Sequence, residues 1–236
     1  MKKAKEHKLA ETISVVSHQF KTPLSAIKGY LEVLIAEDLG KINKEQKEYL
    51  TDTLENTKRM ISLVKDLLDV SRVEQGKLEL KMTLCSLEKI VKKVITEIYP
   101  FARANNCNIS LKVLNKIPKI KADSLKIEQV ISNFISNAVS YTRSKKRGII
   151  NVFLEKKGRN IVFCCKDNGI GISKEDKKKV FNKFFRSEEA MVLDPGGSGF
   201  GLFISKAIIE KNKGKIWFKS EKGKGSSFCF SLPIKI

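Results

Sequence analysis

Apolar residues recur along the first third of the chain with a helical period. Ile13, Val16, Phe20, Leu24, Ile27, Leu31 and Leu34 follow one another at steps of three and four, which places them on one stripe of a helix. A polar break at Glu37-Asp38-Leu39-Gly40-Lys41-Ile42-Asn43 ends that stripe. A second one then runs through Leu50, Leu54, Thr57, Ile61, Val64, Leu68 and Ser71 in strict four-three alternation. This is heptad spacing, the seam of a left-handed bundle. Two long helices joined by a short loop form an antiparallel hairpin. A lone hairpin cannot cover its stripe on every side, so a homodimer closing a four-helix bundle is the economical arrangement.

The period changes after Gly76. Short β-branched runs at Leu78–Leu84, Asn108–Val113, Ile149–Leu154, Asn160–Lys166, Lys215–Lys219 and Ser226–Leu232 predict strands. Helical stretches lie between them at Leu87–Arg103, Asp123–Tyr141 and Phe200–Lys211. The pattern predicts an α+β chain: a helical hairpin over 1–76, then an α/β sandwich with a mixed sheet over 77–236.

Composition narrows the classes. Hydrophobic residues make up 42% of the 236 and charged residues 31%, enough for a core and unlike a disordered tail. No apolar run has the length of a membrane span, and the first residues lack the apolar segment of a signal peptide. A cytoplasmic location is the expectation, with residues 1–12 as the end of a connector from a sensor region outside this chain. The net charge of +20 favours acidic partners without choosing among them. The lysines are scattered and lack interleaved aromatics, so nucleic acid is not expected as a partner. Five cysteines in odd number, with no paired C-x-x-C spacing, predict neither a disulfide framework nor a zinc site, and fit a reducing compartment.

Four constellations could carry chemistry. His18 sits about 160° round the helix from Phe20, pointing away from the seam. A surface histidine is the simplest account, but Pro23, five residues on, sits inside an unbroken apolar stripe at a cost of roughly 3 kcal/mol, as a functional turn would. On the helix capped by Asp123, Gln129, Asn133, Asn137 and Tyr141 step by four along one polar face, beside a buried stripe of Ile127, Val130, Ile131, Phe134 and Ala138. Two amides one turn apart can present oxygens to one point. Neutral amides hold a cation only when phosphates come with it, as Mg²⁺ does; two ordinarily satisfied asparagines fit equally well. Asp167-Asn168-Gly169-Ile170-Gly171 ends a strand with glycines that admit close backbone approach. Gly196-Gly197-Ser198-Gly199-Phe200-Gly201-Leu202 opens a helix, where exposed amides attract phosphate. Neither run matches the phosphate-loop or dinucleotide fingerprints, and singly each could be a flexible loop. Six of the fourteen glycines nevertheless fall between Gly169 and Gly201.

Taken in order, these pieces resemble the catalytic core of the sensor histidine kinases of two-component signalling, and the resemblance spans nearly the whole chain. Ser17-His18-Gln19-Phe20-Lys21-Thr22-Pro23-Leu24 resembles the H-box, the Asn133/Asn137 helix the N-box, and Asp167 to Gly171 the first glycine box. Val180 to Arg186 resembles the F-box and Gly197 to Leu202 the second glycine box. The resemblance implies a phosphotransfer domain followed by a GHKL-type ATP-binding domain. It implies ATP and Mg²⁺, autophosphorylation on His18, and transfer to an aspartate of a response-regulator receiver domain. By it Asn137 would hold Mg²⁺, Asn133 and Tyr141 would line the nucleotide, and Asp167 would accept from the adenine amino group. Gly169, Gly171, Gly197, Ser198, Gly199, Gly201 and Leu202 would shape the pocket, with 173–196 as a lid. Lys183 and Arg186 either reach the phosphates or belong to the solvated lysine-rich face.

Three positions depart from the family. Gln19 stands where an acidic residue usually holds the imidazole tautomer and takes up its proton. Ser140 replaces a lysine, with Arg143 as a stand-in, and Lys21 replaces an arginine. Thr22 matches the position that helps orient a water for dephosphorylating the partner. Related ATP-hydrolysing machines carry a glutamate where Asn133 stands, which disfavours hydrolysis. A degenerate kinase acting as a dimeric nucleotide-binding scaffold or as a response-regulator phosphatase is the alternative that Gln19 and Ser140 keep open.

Overall fold

The computed structural model describes residues 2–142 and 147–234; the side chains of 2–15 and of His18 lie outside that description, as does Arg143. Contacts divide the chain into two units, Met1–Leu78 and Glu79–Ile236.

In the first unit, α1 (Lys2–Ile35) runs without interruption through Pro23 and packs on α2 (Lys44–Glu74). A capping box opens α2: the Asn43 side chain accepts from the Gln46 amide at 2.8 Å, and the Gln46 side chain accepts from the Asn43 amide at 2.9 Å, occupying two donors the helix cannot use. Gly76, at φ 69°, closes α2. The Lys77 amide reaches back to the Arg72 carbonyl and the Gly76 amide to Val73, a termination that needs the left-handed conformation glycine adopts without penalty. Leu24, Leu31, Leu54 and Thr57 are buried, but Val16, Phe20, Ile27 and Tyr30 stay exposed, Phe20 by 52%. Part of the apolar stripe is therefore uncovered in a single chain.

The second unit is a two-layer sandwich. Its elements are β1 (Thr83–Cys85), α3 (Leu87–Ala104), β2 (Cys107–Val113), β3 (Ile120–Ala122), α4 (Ser124–Ser140), β4 (Gly148–Lys157), β5 (Asn160–Asp167), a single 3₁₀ turn at Asp176–Lys178, α5 (Glu188–Leu193), α6 (Gly201–Lys211), β6 (Lys215–Glu221) and β7 (Gly225–Pro233). Five strands lie in the order β2-β4-β5-β7-β6, parallel only between β2 and β4, so the sheet is mixed. Strand alternation sends Ile161, Phe163, Cys165 and Asp167 of β5 inward. Phe134 of α4 meets Phe163, Phe228 and Phe230 there, with ring centroids 5.6–6.3 Å apart. Among the described residues no helix is long and apolar enough to cross a membrane.

Two expectations need correction. The run Leu78–Leu84 is mostly irregular; only Thr83–Cys85 is strand, paired with the short β3 that the pattern did not predict. Leu78 is buried, but Met82 and Leu84 are exposed, so the run neither enters the core nor says where a partner strand lies. The cysteine expectation also fails: Cys164 of β5 faces Cys229 of β7 in the ladder and the two are bonded. Sixty-five residues separate them, so only the strand register brings them together.

Candidate functional site

The carboxy-terminal half of α4 is stitched to helix α6 at one end and to the loop after β5 at the other. Asn137 Nδ2 donates to Asn133 Oδ1 at 3.2 Å, and Asn133 Nδ2 donates to Ser205 Oγ of α6 at 3.0 Å. This directional chain occupies the nitrogens and leaves the Asn137 oxygen outside it, an acceptor in a half-buried position. A Cβ at Gly201 would overlap Asn133 Oδ1, so the first turn of α6 sits on the amide chain because residue 201 has no side chain. We expect Gly201→Ala to displace that chain and lower nucleotide affinity about five- to a hundredfold by titration calorimetry, since overpacking of this kind costs about 1–3 kcal/mol.

One turn further along α4, Tyr141 serves through its main chain. Its carbonyl accepts from the Ile170 amide at 3.1 Å, and a Cβ at Gly169 would overlap that same carbonyl. Burial raises the Tyr141 phenol pKa, opposed by the Arg186 guanidinium beside it. Asp167, only 7% exposed, closes the strand. Its Oδ1 accepts from the Gly169 amide at 2.8 Å and from the Ser226 amide of β7 at 3.0 Å. Those bonds orient the carboxylate and leave lone pairs of Oδ2 for a ligand. Burial raises its pKa more than these amides lower it. Asn168 holds the same corner, its side chain accepting from the Ile149 amide at 2.8 Å and donating to the Arg147 carbonyl at 3.3 Å. Gly171, at φ 67°, lies against the Glu221 carbonyl, and the Gly223 amide bonds Ile170 at 2.7 Å.

Residues 173–196 carry the 3₁₀ turn and α5, and Arg186 organises this segment. Its guanidinium donates to the carbonyls of Gly197 and Ala190 at 2.9 Å and to that of Asp194. In this arrangement those donors go to the loop's own backbone. Lys183 is exposed. Gly199, at φ 69°, lets the chain pass against Phe184, whose ring meets that of Phe200 at 4.7 Å. The Phe200 amide bonds Ser198 Oγ at 3.3 Å, Leu202 is half-buried, and no side chain caps the α6 amino terminus. Its amides are thus suited to an anion.

In the other unit, His18 lies on α1 with its side chain outside the description, while Gln19 and Thr22 are exposed. Sequence reasoning missed Ser205 and Ser226. The first stands four residues after Gly201 on the same helix, a spacing that could have found it; the second depends on the β5–β7 register and has no local signal.

Comparison with known proteins finds similarity across both units. A family model described as "His Kinase A (phospho-acceptor) domain" matches residues 8–76, and one described as "Histidine kinase-, DNA gyrase B-, and HSP90-like ATPase" matches residues 122–236. The sensor protein kinase WalK of Staphylococcus aureus is 32% identical over 235 residues, 98% of this chain and 55% of that protein. WalK of Staphylococcus haemolyticus is 32% identical over 231 residues, covering 98% of this chain and 38% of that protein. The chain thus spans about half, or less, of these relatives. Among solved structures, full-length ShkA in complex with AMPPNP superposes with a TM-score of 0.76 at 26% identity, over 94% of this chain and 45% of that one. The histidine kinase AdeS of Acinetobacter baumannii gives 0.64 at 25%, over 93% and 98%.

The two matched domains, in this order, define a phospho-acceptor hairpin joined to an ATPase-type sandwich. The chain belongs to the sensor histidine kinases and forms their enzymatic core.

Proposed function

We propose that this chain transfers the γ-phosphoryl group of ATP to His18 and passes it to an aspartate of a response-regulator receiver domain. In this reading residues 1–76 are the dimerising phosphotransfer hairpin and 77–236 the nucleotide domain. The observation that carries it is the fixed carboxylate of Asp167, with one oxygen anchored by two amides and the other left for a donor. An exocyclic adenine amine is such a donor. The AMPPNP bound by ShkA supports a nucleoside triphosphate here.

The uncapped amides of α6 and the backbone of Gly197, Ser198 and Gly199 would take the phosphates. Asn137 Oδ1 fits Mg²⁺ as a single neutral oxygen ligand beside phosphate oxygens; among the described residues no three acidic, cysteine or histidine side chains converge to hold an ion otherwise. When bound, the ion neutralises charge on the triphosphate. His18 attacks the γ-phosphorus through an unprotonated ring nitrogen, the β–γ bridging bond breaks, and ADP leaves with its electron pair. The imidazole then carries the phosphoryl group, and its remaining ring proton must be held or shared. Gln19 orients the ring through its oxygen but cannot take up a proton. The uncovered Val16, Phe20, Ile27 and Tyr30 support a homodimeric four-helix bundle. Exposed Thr22 supports a phosphatase activity toward the partner, by positioning a water.

Incubation with γ-labelled ATP tests the reading. The chain acquires an acid-labile, alkali-stable label that His18→Ala abolishes while ATP binding persists. Nucleotide binding without label would leave the scaffold reading standing, and phosphate release independent of His18 would make the chain a hydrolase. A second expectation concerns Gln19: Gln19→Glu raises the single-turnover labelling rate at least fivefold, because a carboxylate offsets imidazolium charge and accepts the proton. An unchanged rate defeats the role given to residue 19.

A further inference from the structure

We propose that Cys164 and Cys229 form a redox-active pair, a thiol–disulfide exchange site on the outer face of the sheet that couples the redox state of low-molecular-weight thiols to the order of the Asp167 corner. The outer face is the one the helices leave uncovered. Cross-strand register places Phe153, Cys164, Cys229 and Trp217 in one row across β4, β5, β7 and β6. The pair sits three residues from Asp167 on one strand and three from Ser226 on the other, and those two residues share the hydrogen bond that anchors the carboxylate. A covalent tie there fixes the register of the two strands that meet at that corner.

The two sulfurs are unequal. Cys164 is half-buried and Cys229 is 5% exposed, so an external thiolate reaches Cys164 first. Lys166, exposed on the same face, favours an approaching anion. The Ser227 hydroxyl lies 3.7 Å from Cys229 Sγ and can donate to it as it leaves as thiolate. Cys165 points to the opposite face, fully buried, its thiol held protonated by burial and directed at the Phe134 carbonyl at 3.8 Å; it takes no part.

The exchange balances without another reagent. On reduction, a small thiolate attacks Cys164 Sγ, the sulfur–sulfur bond breaks, and Cys229 departs as thiolate. A second small thiolate then attacks the small sulfur of the mixed disulfide, freeing Cys164 and releasing the small disulfide. The pair gains two electrons and, from solvent, two protons. Oxidation by a disulfide such as oxidised glutathione is the reverse.

Trp217, the one tryptophan of the sequence, stands opposite Cys229 and reports the bond, since a disulfide quenches an adjacent indole by accepting an electron. The test equilibrates the full chain in glutathione buffers of graded ratio, followed by alkylation and mass spectrometry. Cys164 and Cys229 should become alkylated together in one two-electron transition, with tryptophan emission rising along the same curve. The reduced chain should melt about 10 °C lower in its sandwich domain and exchange the Ser226 amide hydrogen at least threefold faster. Cys85→Ser, which leaves the pair intact, should retain every one of these responses. Independent alkylation of the two cysteines, thiols that stay free in oxidised glutathione, or equal Ser226 exchange in both states would overturn the proposal. None of these readouts requires nucleotide, so failure of the ATP reading would leave this result standing.

Discussion

Asn137→Ala abolishes Mg²⁺-dependent labelling of the chain, with a fall of at least a thousandfold in the single-turnover rate. The expectation rests on the direction of the amide chain. Asn137 Nδ2 is committed to Asn133, and Asn133 Nδ2 to Ser205, so the Asn137 oxygen is the acceptor held out of the network. Removing it takes away the protein's fixed point for the ion, whose charge stabilisation is worth several kcal/mol in phosphoryl transfer. The folding cost should be only about 1 kcal/mol, one part-buried hydrogen bond. Two measurements separate these effects. Thermal melting should shift by a few degrees, while ATP affinity should lose its dependence on Mg²⁺. A variant that keeps a tenth of the wild-type rate would remove Asn137 from the metal site.

The second large effect is at Asp167. Asp167→Asn keeps an oxygen where the Gly169 and Ser226 amides need one and puts an NH₂ group where Oδ2 stood. A donor then meets the adenine amine, itself a donor, and the lost and reversed bond costs about 2–3 kcal/mol. ATP affinity should fall roughly thirty- to a hundredfold. The same NH₂ suits the guanine carbonyl, so the preference for ATP over GTP should shrink or reverse. Unchanged preference between the two nucleotides would mean that the base does not meet this carboxylate.

Acid should act on the same group. Burial holds the Asp167 pKa above that of an ordinary aspartate, so ATP affinity should weaken, on lowering the pH, before such a group would protonate. Stability runs the other way. A carboxyl whose folded pKa is raised contributes fully below its unfolded value and loses that contribution as pH rises through the folded one. Between the two values, acidification therefore favours the fold from this residue while it weakens the base contact. Calorimetric titration of ATP across that window, with Asp167→Asn as the pH-insensitive control, checks the sign.

Several of these expectations were legible before any coordinates. The four-residue step from Asn133 to Asn137 to Tyr141 predicts one helical face, and α4 presents it. The change of period after Gly76 predicts the end of the second helix, and α2 closes at Glu74. Arg186 was not legible. Its two terminal guanidinium nitrogens bond carbonyls four to eleven residues further along the chain, while Nε is buried without a partner, and no side-chain pattern marks carbonyl positions. Gly201 could be seen as one of a glycine cluster, but its reason, the nearness of Asn133 Oδ1, lies sixty-eight positions away in the sequence.

Local order settled the long helices and the main strands: periodicity, caps and glycine spacing act between residues within a turn or two of each other, where chain geometry alone decides who meets whom. Pairing across the sheet did not have that property. Which amide anchors Asp167, which serine holds Asn133, and that Cys164 meets Cys229 all follow from packing helices on one face of a five-stranded sheet. There a one-residue slip would turn every side chain to the other face, and only burial of the whole inner layer selects the register.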